Sequence, residues 1–401
     1  MEIDTFIFMF FLILFQINPA SNIYITIYIL NQRGIPMKNK LPSIDLLTLL
    51  LALSISTIGL IFVLSSSYIW AEYKFDDAFY FFKRQLLFAA IGVVGMIAIS
   101  RIDYQIYKKY ATPFFFTSLV LLILVLVPGI GLVRGGARSW IGIGAFSLQP
   151  SEFMKLGLII FLAKYMSNYV EEAKTFKKGV VPLLFFILLV FGIIMLQPDF
   201  GSGMVIVATG FVMLFICGVP IRYFMYFILT GVAGIVALII SAPYRLERIT
   251  AYLDPWSDPR GSGFQIIQSL YAIAPGGLFG IGLGNSVQKH FFLPEPQTDF
   301  IFAVVSEELG FIGSVGILIL FILFFARCAY IILKTDDLFA KYIVVGIMSM
   351  LMIQVMINIG VVIGLLPVTG ITLPLMSYGG SSLTITLLSI GIILNISRYM
   401  K

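Results

Sequence analysis

The sequence is poor in the residues that build metal centres and disulfide frameworks. It contains one histidine, His290, and two cysteines, Cys217 and Cys328, which lie in separate apolar runs without CxxC spacing. The sequence therefore supports neither a disulfide framework nor a thiolate or multi-histidine metal site. Charged residues are also scarce, at 11% of the chain against 60% hydrophobic residues, which excludes an ordinary soluble globular domain.

Apolar runs long enough to cross about 30 Å of hydrocarbon recur along the chain. We therefore predict an all-α polytopic membrane protein with about ten transmembrane helices. The predicted spans are residues 44–67, 85–100, 113–127, 152–168, 180–196, 201–218, 223–241, 299–327, 342–366 and 378–396.

The basic residues predict which ends of these spans face the cytoplasm. An even number of spans puts both termini on one side, and the short connections on that side carry most of the Lys and Arg residues. By the positive-inside rule, that side is cytoplasmic. The net charge of +6 is thus explained by membrane topology, and nucleic-acid binding is not expected.

Two long connections lie on the opposite, extracellular side, at about residues 128–151 and 242–298. The second is the larger and joins the seventh and eighth predicted spans. Both are rich in Gly, Pro and aromatic residues. This composition favours chain that dips into the interface or lines a cavity over an ordinary surface loop, so function is expected in these two connections.

The first 36 residues do not have the pattern of a signal peptide. Glu2 and Asp4 stand where a basic region is expected, and no small-residue cleavage site follows closely. Met37 begins a basic leader that runs directly into the first span. We interpret residues 1–36 as an N-terminal extension, from a mis-assigned start or as an accessory segment, and residues 37–401 as the transmembrane domain.

An unusual group of carboxylates lies at the start of the predicted eighth span. Thr298 is expected to be the N-cap, which would put Asp299 in the first turn beside free N–H groups, where an ionised carboxylate is favoured. Taken alone, a capping role for Asp299 is the commoner one. Glu307 and Glu308 lie deeper in the span, so this helix must line a polar interior or hold buried ion pairs.

Other polar motifs stand at helix ends. At residues 149–152, QPSE, Ser151 is a candidate cap, and Glu152 and Lys155 are spaced for an i,i+3 pair, either a local salt bridge or part of a site. Asp199 is expected to be structural, in a tight turn.

Two glycine-bearing motifs are expected to serve packing. The motif PGGLFGIGLGNS, 275–286, lacks the GK[ST] ending of a phosphate loop. Its glycines favour close packing against a helix. The small residues of YGGSS, 378–382, likewise predict close packing.

These residues leave two classes of function open. One is an enzyme acting at the outer face on a membrane-embedded anionic substrate, with a carboxylate base and Arg or Lys residues that hold a leaving phosphate. The other is a transporter, which buried acids in mid-helix would favour. Ionisable groups gathered on one outer face, together with the absence of a convincing inverted repeat of spans, favour the enzyme.

Several motifs, in order, closely resemble the SEDS (shape, elongation, division and sporulation) family, nearest to the branch of FtsW and stage V sporulation protein E. The resemblance covers about residues 43–399. Its motifs are GGARSWIGIGAFSLQPSEFMKL, QPDFGSG, GSGFQIIQSLYAIAPGGLFGIGLGNSVQKHFF, LPEPQTDFIFAVVSEELGFIG and LPVTGITLPLMSYGGSSL.

The resemblance implies a ten-helix SEDS fold with an outward-facing cavity. It also implies a peptidoglycan glycosyltransferase that polymerises lipid II for septal or spore-cortex wall, together with a class B penicillin-binding protein transpeptidase in a cell-division or sporulation complex of the bacterial cytoplasmic membrane. Alternatives that the sequence leaves open are a lipid II flippase and a non-catalytic scaffold for a penicillin-binding protein.

The same resemblance assigns roles to individual residues. Asp299 would be the catalytic base, and Glu152 and Lys155 would form a polar pair in the cavity. From the residues themselves, we expect Glu295 to lie at the cavity rim, and Glu307 and Glu308 to hold the helix in register against cationic partners. Further candidates for the cavity and for the leaving pyrophosphate are Arg134, Arg138, Arg245, Arg248, Lys289, Gln297 and Ser382. A divalent cation, Mg²⁺ or Mn²⁺, is a candidate cofactor, although no metal-ligand spacing is visible.

Overall fold

The computed structural model of the chain describes residues 43–134, 136–143, 146–227, 231, 234, 252–261 and 263–400. In this part of the chain the α-helices are α1 (Leu46–Phe75), α2 (Tyr80–Ile99), α3 (Gln105–Leu124), α4 (Pro150–Asn168), α5 (Val170–Ala173), α6 (Val181–Met195), α7 (Phe200–Ile216), α8 (Phe264–Gly276), α9 (Ile301–Lys334), α10 (Leu338–Val362) and α11 (Gly380–Ser397). Three strands, a π-helical turn at Phe176–Val180 and a 3₁₀ turn at Pro255–Ser257 complete the described elements.

The predicted fold class is confirmed. Nine of the ten predicted spans correspond to helices in the described part of the chain, whereas the seventh, 223–241, falls largely on residues outside it. Within the described residues, six helices are long and apolar enough to cross a membrane by length and composition, namely those at Leu46–Phe75, Tyr80–Ile99, Phe176–Met195, Ile301–Lys334, Leu338–Val362 and Gly380–Ser397. The chain is a multi-pass membrane protein.

Aspartates begin several of these helices. Asp199 is the N-cap of α7, and its side chain accepts a hydrogen bond of 3.1 Å from the N–H of Ser202. Its predicted structural role is therefore confirmed, because the cap satisfies one of the free N–H groups at the helix start. Asp45 caps α1 in the same way, through the N–H of Thr48 at 2.9 Å.

The first long connection is more regular than its glycine content suggested. Strands β1 (Gly131–Arg134), β2 (Ala137–Ile143) and β3 (Phe146–Leu148) form an antiparallel sheet in the order β1-β2-β3. Two of its glycines, Gly131 and Gly142, lie within strands, so glycine in this connection does not exclude strand pairing. The sheet leads directly into α4, and β2 packs against that helix.

Helix α4 lies at the centre of the bundle. It packs against α3, α7, α10 and α11. The first two turns of α4 bury Ser151, Glu152 and Lys155, so a charge there requires a partner within the protein. Around this centre, α2 packs along α11, where Gly380 lies against the ring of Phe88, as the small-residue motif predicted.

An ion pair and a hydrogen bond join three helices near the C-terminal end of α9. The guanidinium of Arg327 lies 2.5 Å from a carboxylate oxygen of Asp45. The backbone N–H of Asp45 also donates to the hydroxyl of Ser397 on α11, at 3.0 Å. The end of α1, the C-terminal part of α9 and the end of α11 are thereby fixed to one another.

Candidate functional site

Asp299 lies in a turn immediately before α9. The helix starts at Ile301 and its N-cap is Phe300, which makes no side-chain cap, so the expected capping by Thr298 was wrong. The hydroxyl of Thr298 instead donates a hydrogen bond of 2.9 Å to the backbone oxygen of Glu295. Asp299 is half-buried and still lies beside the free N–H groups of the helix start.

The backbone before α9 is held by three consecutive carbonyl groups. The carbonyl of Gln297 accepts from the N–H of Tyr378 at 2.8 Å, and that of Thr298 accepts from the hydroxyl of Ser377 at 2.6 Å. The carbonyl of Asp299 accepts from the side-chain amide of Asn358 on α10, at 2.7 Å. Residues 297–299 are therefore fixed by α10 and by the segment that precedes α11.

The segment preceding α11 is itself anchored by Gln85, a buried residue of α2. The amide nitrogen of Gln85 donates 2.9 Å to the carbonyl of Ser377, and its oxygen accepts from the N–H of Gly379 at 3.2 Å. Both ends of one side-chain amide are thus used on the same turn. The position of Asp299 consequently depends on α2, α10 and residues 377–379 together.

Gly370 faces the carboxylate of Asp299. A Cβ atom added at Gly370 would lie 3.8 Å from Oδ2 of Asp299, and Gly370 has a φ of +74°. Such a backbone conformation favours glycine, since other residues meet their own carbonyl there. The glycine of the LPVTGITLP motif therefore leaves open space beside the carboxylate.

Four helices begin at this end of the bundle. The side chain of Gln149, the N-cap of α4, donates 3.2 Å to Asp199, the N-cap of α7. The start of α7 in turn meets the residues facing Asp299, since a Cβ on Gly201 would lie 2.7 Å from the carbonyl of Thr369. With α9 and α11 joined at residues 297 and 378, the N-termini of α4, α7, α9 and α11 converge.

Glu152 and Lys155 form the predicted i,i+3 pair on α4. The ammonium nitrogen of Lys155 lies 2.8 Å from Oε1 of Glu152, with side chains 3% and 8% exposed. Because both groups are buried, each charge depends on the other: removal of either one leaves the other buried without a counter-charge. Ser151 does not cap α4 as expected, since Gln149 is the N-cap and Pro150 takes the first helical position.

Lys289 is not beside Asp299 but in a separate buried cluster. It lies 3.2 Å from Glu308, and the hydroxyl of Ser65 on α1 donates 2.6 Å to the same carboxylate. Glu307 accepts from the N–H of Val287 at 2.8 Å and from the hydroxyl of Ser286. A cationic partner is confirmed for Glu308, whereas Glu307 is held by neutral donors.

This cluster closes a break in α9. Gly310 has non-helical φ and ψ of 67° and −163°. The segment 277–282 fills the gap: the N–H groups of residues 281 and 282 donate to the carbonyls of Glu307 and Glu308 at 3.0 and 3.1 Å. The N–H groups of residues 311 and 312 donate back, to residues 277 and 278 at 2.9 and 3.1 Å. The predicted packing role of these glycines is confirmed, since Gly280 has no room for a side chain against Glu308.

The remaining predicted residues are distributed around these features. Glu295 is exposed in the turn before Asp299, and Ser382 lies in the first turn of α11. Arg138 lies on β2 opposite Val133, with its stem over Gly131. The side chain of Arg134, on β1, and all of Arg245 and Arg248 lie outside the described part of the chain.

Three residues that matter here were not singled out from the sequence: Gln85, Asn358 and Ser377. Each is a buried polar residue within or beside an apolar span. A lone asparagine in the run MINIGVVIGLL is a usable signal, because an amide at membrane depth needs hydrogen-bond partners.

Fold and contacts define a multi-pass helical membrane protein that holds a half-buried carboxylate where four helices begin. A family model described as "Cell cycle protein", FTSW_RODA_SPOVE, matches residues 45–401. The chain belongs to the FtsW/RodA/SpoVE family, as its motifs predicted.

Individual relatives agree with this membership. Stage V sporulation protein E of Bacillus subtilis (strain 168) is 57% identical over 365 residues, which cover 91% of this chain and 100% of that protein. A Trichlorobacter lovleyi protein named probable peptidoglycan glycosyltransferase FtsW is 41% identical, over 90% of this chain and 95% of its own. Among solved structures, a chain of a peptidoglycan synthase complex, studied for the structural coordination of polymerization and crosslinking, matches with a TM-score of 0.74 and 33% identity, covering 89% of this chain and 99% of that one.

Proposed function

We propose that this protein is a peptidoglycan glycosyltransferase that polymerises lipid II at the outer face of the cytoplasmic membrane. Its family and the names of its relatives support this activity. The observation that carries the proposal is the placement of Asp299, whose backbone is fixed by Asn358 and Ser377 while its carboxylate faces the open space at Gly370. Its greater identity to stage V sporulation protein E favours a role in spore-cortex rather than septal wall.

In this proposal Asp299 is the general base. Its carboxylate takes the proton from the 4-hydroxyl of the acceptor lipid II as that oxygen attacks the anomeric carbon of the lipid-linked donor chain. The new glycosidic bond forms with inversion, and the bond to undecaprenyl pyrophosphate breaks with its electron pair on the leaving group. A carboxylate at a helix start is suited to this task, because the positive end of the helix dipole is complementary to its negative charge.

The leaving pyrophosphate requires positive charge. Four convergent helix N-termini direct N–H groups and the positive ends of their dipoles to this end of the bundle, which is a favourable setting for a phosphate. Arg134, Arg138, Arg245 and Arg248 are the proposed cationic side chains. Lys155 and Lys289 are engaged by Glu152 and Glu308, and the near-complete burial of Lys289 removes it from this group.

The described residues do not fit a metal site built by the protein alone. Among them, no three His, Cys, Asp or Glu side chains lie together. Mg²⁺ and Mn²⁺ sites in proteins usually draw on carboxylate oxygens, with substrate phosphates as further ligands. The roles above therefore belong to side chains and helix ends of the chain, without Mg²⁺ or Mn²⁺.

The proposed setting is the bacterial cytoplasmic membrane, with both termini in the cytoplasm as the distribution of Lys and Arg predicts. The proposed partner is a class B penicillin-binding protein transpeptidase within a division or sporulation complex. The match to a chain of a peptidoglycan synthase complex supports this partner.

Purified protein supplied with lipid II in detergent, with the partner transpeptidase present, tests the activity. No bilayer separates two compartments in detergent, so translocation is not required there. Glycan polymer formed under these conditions therefore identifies a polymerase. If no polymer forms, while lipid II crosses vesicle membranes that contain the protein, the protein is a flippase. If neither occurs and the protein only retains its partner, it is a scaffold.

A further inference from the structure

Asn358 connects two backbone segments that flank the candidate site. Its side chain is 1% exposed, and its amide nitrogen donates 2.7 Å to the carbonyl of Asp299 and 2.8 Å to the carbonyl of Ile371. Both amide protons are therefore used. The reverse orientation would place the side-chain oxygen against two carbonyl oxygens, so the hydrogen-bond network fixes which way the amide points.

The two carbonyls that Asn358 holds belong to opposite walls of the space at the carboxylate. Asp299 precedes the first helical residue of α9, and Ile371 follows Gly370, whose Cα faces Oδ2 of Asp299. One amide group thus sets the separation between the carboxylate and the wall it faces. Neither carbonyl lies within an α-helix, so both depend on such a donor for their place.

We infer that Asn358 is a positioning residue for the glycosyl transfer: it holds the carboxylate of Asp299 at the distance from residues 370–371 that the acceptor hydroxyl requires. This inference rests on the proposed role of Asp299 as base. Loss of the amide would let the two segments separate, and a displacement of about 1 Å at a reacting group lowers turnover by up to about 100-fold. Binding of lipid II through its pyrophosphate and lipid tail would be little changed.

Asn395 provides a matched control. It is also buried in an apolar helix, at 2% exposure, and its amide nitrogen donates 3.0 Å to a single backbone carbonyl, that of Ser100. It lies near the C-terminal end of α11, whereas Asp299 lies beside the start of that helix. Asn358→Leu and Asn395→Leu remove the same donor and leave a side chain of similar size.

The experiment compares the kcat and KM of lipid II polymerisation for both variants, each normalised to folded protein. We expect Asn358→Leu to lower kcat about 10- to 100-fold with KM within about twofold, and Asn395→Leu to lower the melting temperature while kcat stays within about twofold. If Asn358→Leu cannot be recovered folded, Asn358→Ser, which keeps one hydroxyl donor, takes its place with the same expected loss of kcat.

The outcomes separate this inference from the proposed function. Equal kcat in the Asn358 and Asn395 variants would overturn the positioning role, and so would a loss at Asn358 confined to KM. If these results came with an inactive Asp299→Ala protein, the proposed base would stand and Asn358 alone would lose its role. An active Asp299→Ala protein would instead remove the base itself.

Discussion

The ammonium group of Lys289 lies 3.2 Å from a carboxylate oxygen of Glu308, and the two side chains are 1% and 0% exposed. Of the two buried carboxylates, only Glu308 pairs with this lysine, whereas Glu307 accepts from the hydroxyl of Ser286 and the N–H of Val287. The acids that stand out in and just before α9 therefore have two different roles. Asp299 belongs to the candidate site, and the glutamates hold the break in the helix.

Asp299→Ala should abolish polymerisation without loss of folding. The side chain is half-buried beside open space, so its removal leaves the backbone contacts of residues 297–299 in place. Loss of a general base lowers turnover by about 100- to 10,000-fold. Lipid II polymerisation by purified protein with its partner measures the effect.

The matched control is Asp254→Ala, which removes an exposed aspartate from the same long connection. We expect it to polymerise at the wild-type rate. Retention of more than a few per cent of that rate by Asp299→Ala would remove Asp299 from the role of base.

Lys289→Met should destabilise the protein. The substitution keeps most of the apolar stem but leaves the buried carboxylate of Glu308 without its counter-charge, which costs about 3–5 kcal/mol. The exposed pair of Lys83 and Asp77, 3.0 Å apart, is the control, since Lys83→Met should barely change the melting temperature. Thermal unfolding in detergent would contradict the structure if both variants lost the same stability.

Gly370→Ala should lower turnover. The added methyl group would lie 3.8 Å from Oδ2 of Asp299 and would strain a residue with φ of +74°. Gly129→Ala is the control: Gly129 also has a positive φ, +91°, but open space around it. Both variants should lose a little stability, about 1 kcal/mol, and only Gly370→Ala should lose activity. Equal activities would show that the space beside Asp299 is not used.

Glu152→Ala should be impaired less than Asp299→Ala, because a residue that positions substrate usually contributes less than the base. The single variant also leaves the buried Lys155 without its counter-charge, which lowers stability. Glu152→Gln with Lys155→Met removes both charges at similar volume, so stability should recover while polymerisation stays reduced. Full activity of this double variant would make the pair a structural salt bridge.

Most of the helical architecture could be predicted, because apolar length alone marks a span. The spacing of Glu152 and Lys155 likewise predicted their contact, since residues three apart meet on a helix. Local rules failed where tertiary contacts took over. Thr298 has the chemistry of a cap, but its hydroxyl is bound to the turn before it and its carbonyl to Ser377.

The separation of Lys289 from Asp299 could not be read from the sequence. The nine residues between them suggest proximity, whereas Lys289 lies beside Glu308, the eighth residue of α9, close to the break at Gly310. Asn358 and Gln85 were missed for a related reason. Their partners are backbone carbonyl or N–H groups far away in the chain, and no sequence pattern marks those.

The interruption of α9 at Gly310 also has a mechanical consequence. The long part of the helix, after Gly310, is tied at its far end through Arg327 to Asp45, whereas the short part before it is tied through Glu308 to Lys289. Since Gly310 interrupts the helical backbone, the two parts of α9 are separately anchored rods that join at one residue. The short rod, residues 301–309, directly follows the turn of Asp299, so the candidate site is continuous with the anchor at Glu308 and not with the one at Arg327.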